Sequence, residues 1–161
     1  MTRCYIDTNF LFALSRTPGG DADPDVDVWR RLVDDEMGED GGVISALVLD
    51  ELAYRAVLAW LRDAGDPSPI TTFRRSAPSV MRRMRTRLGR LWKAIDELGF
   101  EMAVTDAAVV THATTLMSYP GVSPRDAFHA AHAIDTQCPV IVSSDPDFDR
   151  LSGLRRLGPA V

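Results

Sequence analysis

A chain of 161 residues, 45% hydrophobic and 25% charged, has the size and composition of one soluble globular domain with a single substantial core. The net charge of −5 excludes a protein that is basic throughout, but it hides an asymmetry: residues 74–93 hold eight of the 18 lysines and arginines and no acid. Elsewhere ten basic residues face 23 acidic ones, a net of −13, so an acidic site beside a basic surface is available, as a hydrolase of a polyanion requires.

No apolar run approaches the roughly 20 residues of a membrane span, and the stretch from Met1 to Asp7 lacks the long apolar region of a signal peptide. A cytoplasmic location without membrane contact is expected. Cys4 and Cys138 flank apolar stretches and form no CxxC pair, so both are expected to pack as small apolar residues in a reduced compartment.

In chain order, Arg3 to Ile6 is short, apolar and β-prone, and it ends at Asp7-Thr8-Asn9 before a first helix over Phe10 to Leu14. Asp7 is thereby expected at a strand-to-helix turn. A glycine- and aspartate-rich loop over Pro18 to Asp25 precedes a helix over Val26 to Met37, which Gly38 to Gly42 closes. Val43-Ile44 reads as a short strand. Ser45 then suits the cap of a long helix in which Leu49, Leu52, Ala53, Ala56, Val57 and Trp60 recur at three- and four-residue spacing, with Asp50 and Glu51 near its start.

Asp63 to Pro78, with three prolines, is expected to be a connection or inserted excursion and the most mobile part of the chain. In Ser79 to Leu98, Met81, Met84, Leu88, Leu91, Ile95 and Leu98 form a helical stripe, while Arg82, Arg83, Arg85, Arg87, Arg90 and Lys93 fall largely elsewhere. Phe100 to Val104 reads as a strand, Asp106 to Met117 as a helix, and Pro120-Gly121 as a break.

Ser123 then suits an N-cap, Pro124 the first helical position, and Asp126 the third, where its charge meets the positive end of the helix dipole. Cys138 opens the next strand, whose apolar Val140 to Val142 delivers Asp145 to solvent. A helical turn after Phe148 and an edge strand over Leu154 to Leu157 complete the chain. The alternation predicts an α/β fold, a parallel sheet covered on both faces, with strand C-terminal ends and their loops on one common side.

Each acid has a structural reading: Asp7 as a helix cap, Asp126 as the acidic member of a capping box with Ser123, Glu51 as a dipole partner with Asp50 as its competitor. Convergence at one sheet edge changes their meaning. Four uncompensated carboxylates would repel by up to about 4 kcal/mol per pair at about 4 Å and an effective dielectric near 20, so such a site needs a cation or raised pKa values. Mg²⁺ or Mn²⁺ fits oxygen donors.

Asp145 to Asp149 superficially resembles a calcium loop, but Arg150 stands where the loop needs glycine and Arg156 where it needs glutamate. His129 and His132 lack companion cysteines or HExxH spacing and are read as core or surface histidines. The arginine-rich helix is either a solvated outer face or an RNA or partner contact through Arg82, Arg83, Arg85 and Arg87.

Four stretches together resemble the PIN domain, and within it the VapC-type toxins: Tyr5 to Leu11, Ile44 to Leu52, Arg125 to Ala131 and Val142 to Asp149, in the family's order. The resemblance implies a three-layer α/β/α fold over residues 1–161; the segment around 63–93 looks longer than the compact family pattern, an insertion or extension of it. It further implies Mg²⁺- or Mn²⁺-dependent RNA cleavage, homodimerisation and inhibition by a cognate antitoxin. It carries the acidic roles onto Asp7, Glu51, Asp126 and Asp145, with Asp149 as an outer fifth and Ser144 as polar support.

The mechanism it suggests is in-line hydrolysis, with Glu51 positioning the attacking water. One rival is a phosphatase with Asp7 as phosphoryl acceptor, but Asn9 stands where a second aspartate is wanted. Another is a non-catalytic PIN-like module that binds RNA or protein.

Overall fold

The computed structural model describes residues 2–16, 26–38 and 41–159. The loop expected over Pro18 to Asp25, and the middle of the one expected over Gly38 to Gly42, lie outside the described residues. Among the described residues, five strands form one all-parallel sheet, and six helices complete a three-layer α/β/α arrangement. The strands are β1 (Cys4–Ile6), β2 (Gly42–Ser45), β3 (Glu101–Ala103), β4 (Val140–Val142) and β5 (Arg155–Leu157), in the order β3-β2-β1-β4-β5. The helices are α1 (Thr8–Ser15), α2 (Val26–Met37), α3 (Ala46–Asp63), α4 (Pro69–Asp96), α5 (Ala107–Leu116) and α6 (Pro124–Asp135).

Every residue of β1, β2 and β4 is buried, as a parallel sheet covered on both faces demands, and this is why these strands read as continuous apolar runs. The edge strands β3 and β5 carry the exposed Glu101 and Arg155 instead. Leu11, Val33, Val48, Leu52 and Ala130 close over the sheet from four helices. Cys4 and Cys138 are buried and unpaired, and burial pushes the Cys4 thiol up to about 12, so both pack as small apolar groups.

The chain leaves β1 towards β2 and β3 on one side and returns to β4 and β5 on the other. The strand order therefore reverses between β1 and β4, and open parallel sheets bind ligands outside the carboxyl ends of strands at such a reversal. Asp7 follows β1 and Ser143 follows β4. The Asp7 amide donates to Val142 O (3.1 Å), so the two strand ends stay side by side.

The helical expectations are corrected in four places. The first helix begins at Thr8 rather than Phe10, with Asp7 as its cap. More consequential, the excursion expected over Asp63 to Pro78 is mostly helix: α4 starts at Pro69, a proline at a helix's first position, where its missing N–H costs nothing. Pro78 is accommodated by a kink, with Ser76 leaving helical geometry (φ −138°, ψ 29°). The expected stripe holds at Met84, Leu88, Leu91 and Ile95 and differs at its ends: Val80 is buried where Met81 was expected, and Leu98, past the end of α4, is exposed. A 3-10 turn over Pro146–Arg150 begins directly after Asp145, earlier than the turn expected after Phe148.

Candidate metal centre

Asp7 sits in extended backbone at the end of β1, and its carboxylate is held from three directions. Oδ1 accepts from the Thr8 amide (2.7 Å), while Oδ2 accepts from Asn9 Nδ2 (2.9 Å) and Ser143 Oγ (2.6 Å). Arg55 in turn donates to Asn9 Oδ1 (2.5 Å) and lies over the Phe12 ring, which fixes the amide. Asn9 is thus a support for Asp7, a role that needs no second aspartate.

Glu51, in the second turn of α3, points inward. Its Oε2 accepts from Thr8 Oγ1 (2.8 Å) and lies 3.3 Å from His129 Nε2, which is 3.8 Å from Asp7 Oδ1. Burial works to raise the Glu51 carboxyl, but the His129 and Thr8 hydrogen bonds and the charges of His129 and Arg125 outweigh it and hold it below the usual range. Its other oxygen, Oε1, is buried 2.5 Å from Arg125 Nε, without the alignment of a hydrogen bond. Asp50, the sequence competitor, is exposed at the cleft rim.

His129 is the functional residue the sequence reading passed over. Its Nδ1 lies 3.0 Å from the Tyr5 hydroxyl, which lies 2.7 Å from Ser45 Oγ. Burial pushes the Tyr5 hydroxyl up, so it keeps its proton. With the imidazole hydrogen on Nδ1, the Nε2 lone pair faces Asp7 and Glu51 as a ligand; with it on Nε2, the ring donates to Glu51 and orients it. The available signal was helical spacing: His129 lies three residues after Asp126, on the same face of α6.

At the cleft's other flank, Ser123 Oγ caps the Asp126 amide (3.2 Å). No reciprocal bond from the Ser123 amide to the Asp126 carboxylate exists among the described residues, so that carboxylate is left for the cleft. Asp145 caps the following 3-10 turn through the Asp147 amide (2.9 Å), and its own amide donates to Ser143 Oγ (3.0 Å).

The structure thus gathers Asp7, Glu51, Asp126 and Asp145 around one cleft of about 640 Å³, together with His129, Arg55 and Arg125. Two groups have ligand atoms within 4.8 Å of one another: Asp7, Glu51 and His129, all lining the cleft, and Asp126, Asp145 and Asp147, of which only the first two line it. Asp147, not Asp149, joins the second. Asp149 is drawn outward by a two-point contact with Arg156 (3.0 and 2.9 Å), which holds its carboxyl below the usual range. Ser143, one residue before the expected Ser144, supplies the polar support. Arg82, Arg83, Arg85 and Arg87 are exposed on α4 but do not line the cleft, and Arg87 rests near the Trp60 ring.

The residues fit a divalent cation: hard oxygen donors, one imidazole, and a buried carboxylate oxygen with no hydrogen bond of its own. No helix among the described residues is long and apolar enough to cross a membrane. No curated protein matches the chain significantly. Comparison with protein families matches the PIN domain over residues 4–154, nearly the whole chain. With the fold, the cluster of acids at the strand ends and this match in agreement, the chain belongs to the PIN domain family, whose members are generally metal-dependent nucleases.

Proposed function

We propose that this protein is a Mg²⁺- or Mn²⁺-dependent endoribonuclease of the VapC type, a cytoplasmic toxin that works as a homodimer and is silenced by a cognate antitoxin protein. The observation that carries the reading is the meeting of four acids from four separate parts of the chain, Asp7, Glu51, Asp126 and Asp145, in one cleft that also holds two arginines.

Asp7, Asp126 and Asp145, with His129 beside them, would hold the cation. When bound, the ion supplies Lewis acidity towards a bridging phosphate and makes water acidic enough to attack near neutral pH. Glu51 Oε2 is fixed by Thr8 and His129, so Oε1 is the acceptor that orients the attacking water and takes its proton. Arg125, 64% exposed, leaves that oxygen for the substrate phosphate as the strand enters. The water oxygen bonds to phosphorus, the bond to the in-line leaving oxygen breaks, and that oxygen departs as a hydroxyl with a proton from solvent.

Asp7→Asn tests this, because the asparagine oxygen still caps the helix through the Thr8 amide while the charge is lost, at the cost of the bond from Asn9. Cleavage of a panel of RNAs with Mg²⁺, Mn²⁺ or chelator should fall roughly 10²- to 10⁴-fold in the variant, with circular dichroism unchanged. Full activity in the variant, or in chelator, would overturn the scheme. Metal-independent RNA binding without turnover would favour a non-catalytic module. A small open reading frame directly upstream, whose product suppresses the activity, is the expected sign of an antitoxin.

A further inference from the structure

The acidic end is only half of the cleft. The opposite wall is apolar, formed by Ala53, Tyr54 and Val57 of α3 and by Phe73 and Met81 of α4, the helix whose start falls in the stretch read from the sequence as a connection or inserted excursion. Tyr54 and Phe73 pack edge to face, with ring centroids 5.6 Å apart and planes at 78°. Phe73 is anchored in turn on the cluster of Val57, Leu61, Val80, Met84 and Leu88. The Tyr54 ring is therefore held from behind, yet Tyr54 is 41% exposed and Met81 39% exposed. Large apolar side chains held rigid at the mouth of a charged cleft are available for a flat ligand.

We propose that Tyr54, backed by Phe73 and flanked by Met81, is a stacking site for one unpaired nucleobase of the RNA strand whose phosphate enters the acidic end. This rests on the nuclease reading of the same cleft and specifies its substrate as single-stranded at that position. Three features select a nucleobase. The wall and the acids line one continuous cleft of about 640 Å³, within the range of small-ligand sites, so a strand bound at one end lies against the other. Beyond the wall α4 continues with Arg82, Arg83 and Arg85, all exposed, in a stretch with no acid from 74 to 93, which attracts a polyanion. Finally, every base has a π-face, so the site accepts any base but needs it free of a duplex stack.

The test uses full-length protein carrying Asp7→Asn, so that binding is read without turnover, and a short unstructured fluorescent oligoribonucleotide. A companion series carries one abasic residue at each position in turn. Tyr54→Ala should weaken binding of the intact strand roughly 5- to 150-fold, the ratio matching about 1–3 kcal/mol per stacked base. Tyr54→Phe should retain it. One abasic position should weaken binding to the parent but not to the Tyr54→Ala variant, a non-additivity that a merely structural role would not produce.

Equal binding by parent and Tyr54→Ala, a flat abasic series, or equal affinity for the same sequence as a duplex would overturn the inference. So would a loss in Tyr54→Ala confined to binding of a protein partner. The nuclease reading fails separately: stacking without metal-dependent cleavage by the unaltered protein would sink that reading and leave this site standing.

Discussion

Glu51 has one oxygen fixed by Thr8 and His129 and another that is paired with Arg125 but accepts no hydrogen bond among the described residues, and this division gives the carboxylate both a structural and a chemical use. Its lowered pKa makes a prediction about acid. The folded state binds fewer protons at Glu51 than the unfolded chain, whose glutamates titrate near 4.3, so stability rises with pH in that region. The contribution is complete above the unfolded value and is lost as pH falls through the lower folded value. Urea unfolding in chelator across acidic pH should therefore show a shallower pH slope for Glu51→Gln than for the unaltered protein. Parallel slopes would mean that the carboxyl is not stabilised as its contacts indicate.

The strands of this fold are short, and they position the site less by their length than by the residues just past their carboxyl ends. β1 contributes three residues and then Asp7; β4 contributes three and then Ser143 and Asp145. The packing around such strands leaves little slack. At Gly42, which opposes Cys4 in the β1–β2 ladder, an added Cβ would come 2.6 Å from Phe100 Cδ1 and 3.0 Å from Met37 Sδ. Gly42→Ala should gain about 0.4–1 kcal/mol by restricting the unfolded chain, yet lose about 1–3 kcal/mol to overpacking. The net result is a lower urea midpoint at unchanged slope. A variant as stable as its parent would show that Phe100 and Met37 yield freely.

At the scale of the whole molecule, a cation held by the four acids drawn together in the cleft would make folding and binding one linked equilibrium. At a Mn²⁺ concentration about 100 times its dissociation constant, binding should add about 2.7 kcal/mol. For a protein of this size that raises the melting temperature by roughly 5–10 °C, reversed by chelator. No shift with Mn²⁺ or Mg²⁺ would mean that the cleft is not a cation site.

The sequence by itself determined the elements whose signals are local. Ser123-Pro124 announced α6, uninterrupted apolar runs announced the inner strands, and Asp7 and Asp145 could be placed because each ends such a run. Asp63 to Pro78, with its three prolines, read as a connection or inserted excursion, and the start of α4 at Pro69 was missed, since a kink at Ser76 depends on what α4 packs against. Ser143 supports the site through its bond to Asp7, and Asp149 is drawn away by Arg156, partners that lie 136 and seven residues away in sequence. His129 entered the site through contacts with Tyr5 and Glu51, which lie 124 and 78 residues away in sequence. The tertiary structure alone chose the crevice between β1 and β4, because strand order is a property of how crossovers pack and no local stretch of chain encodes it.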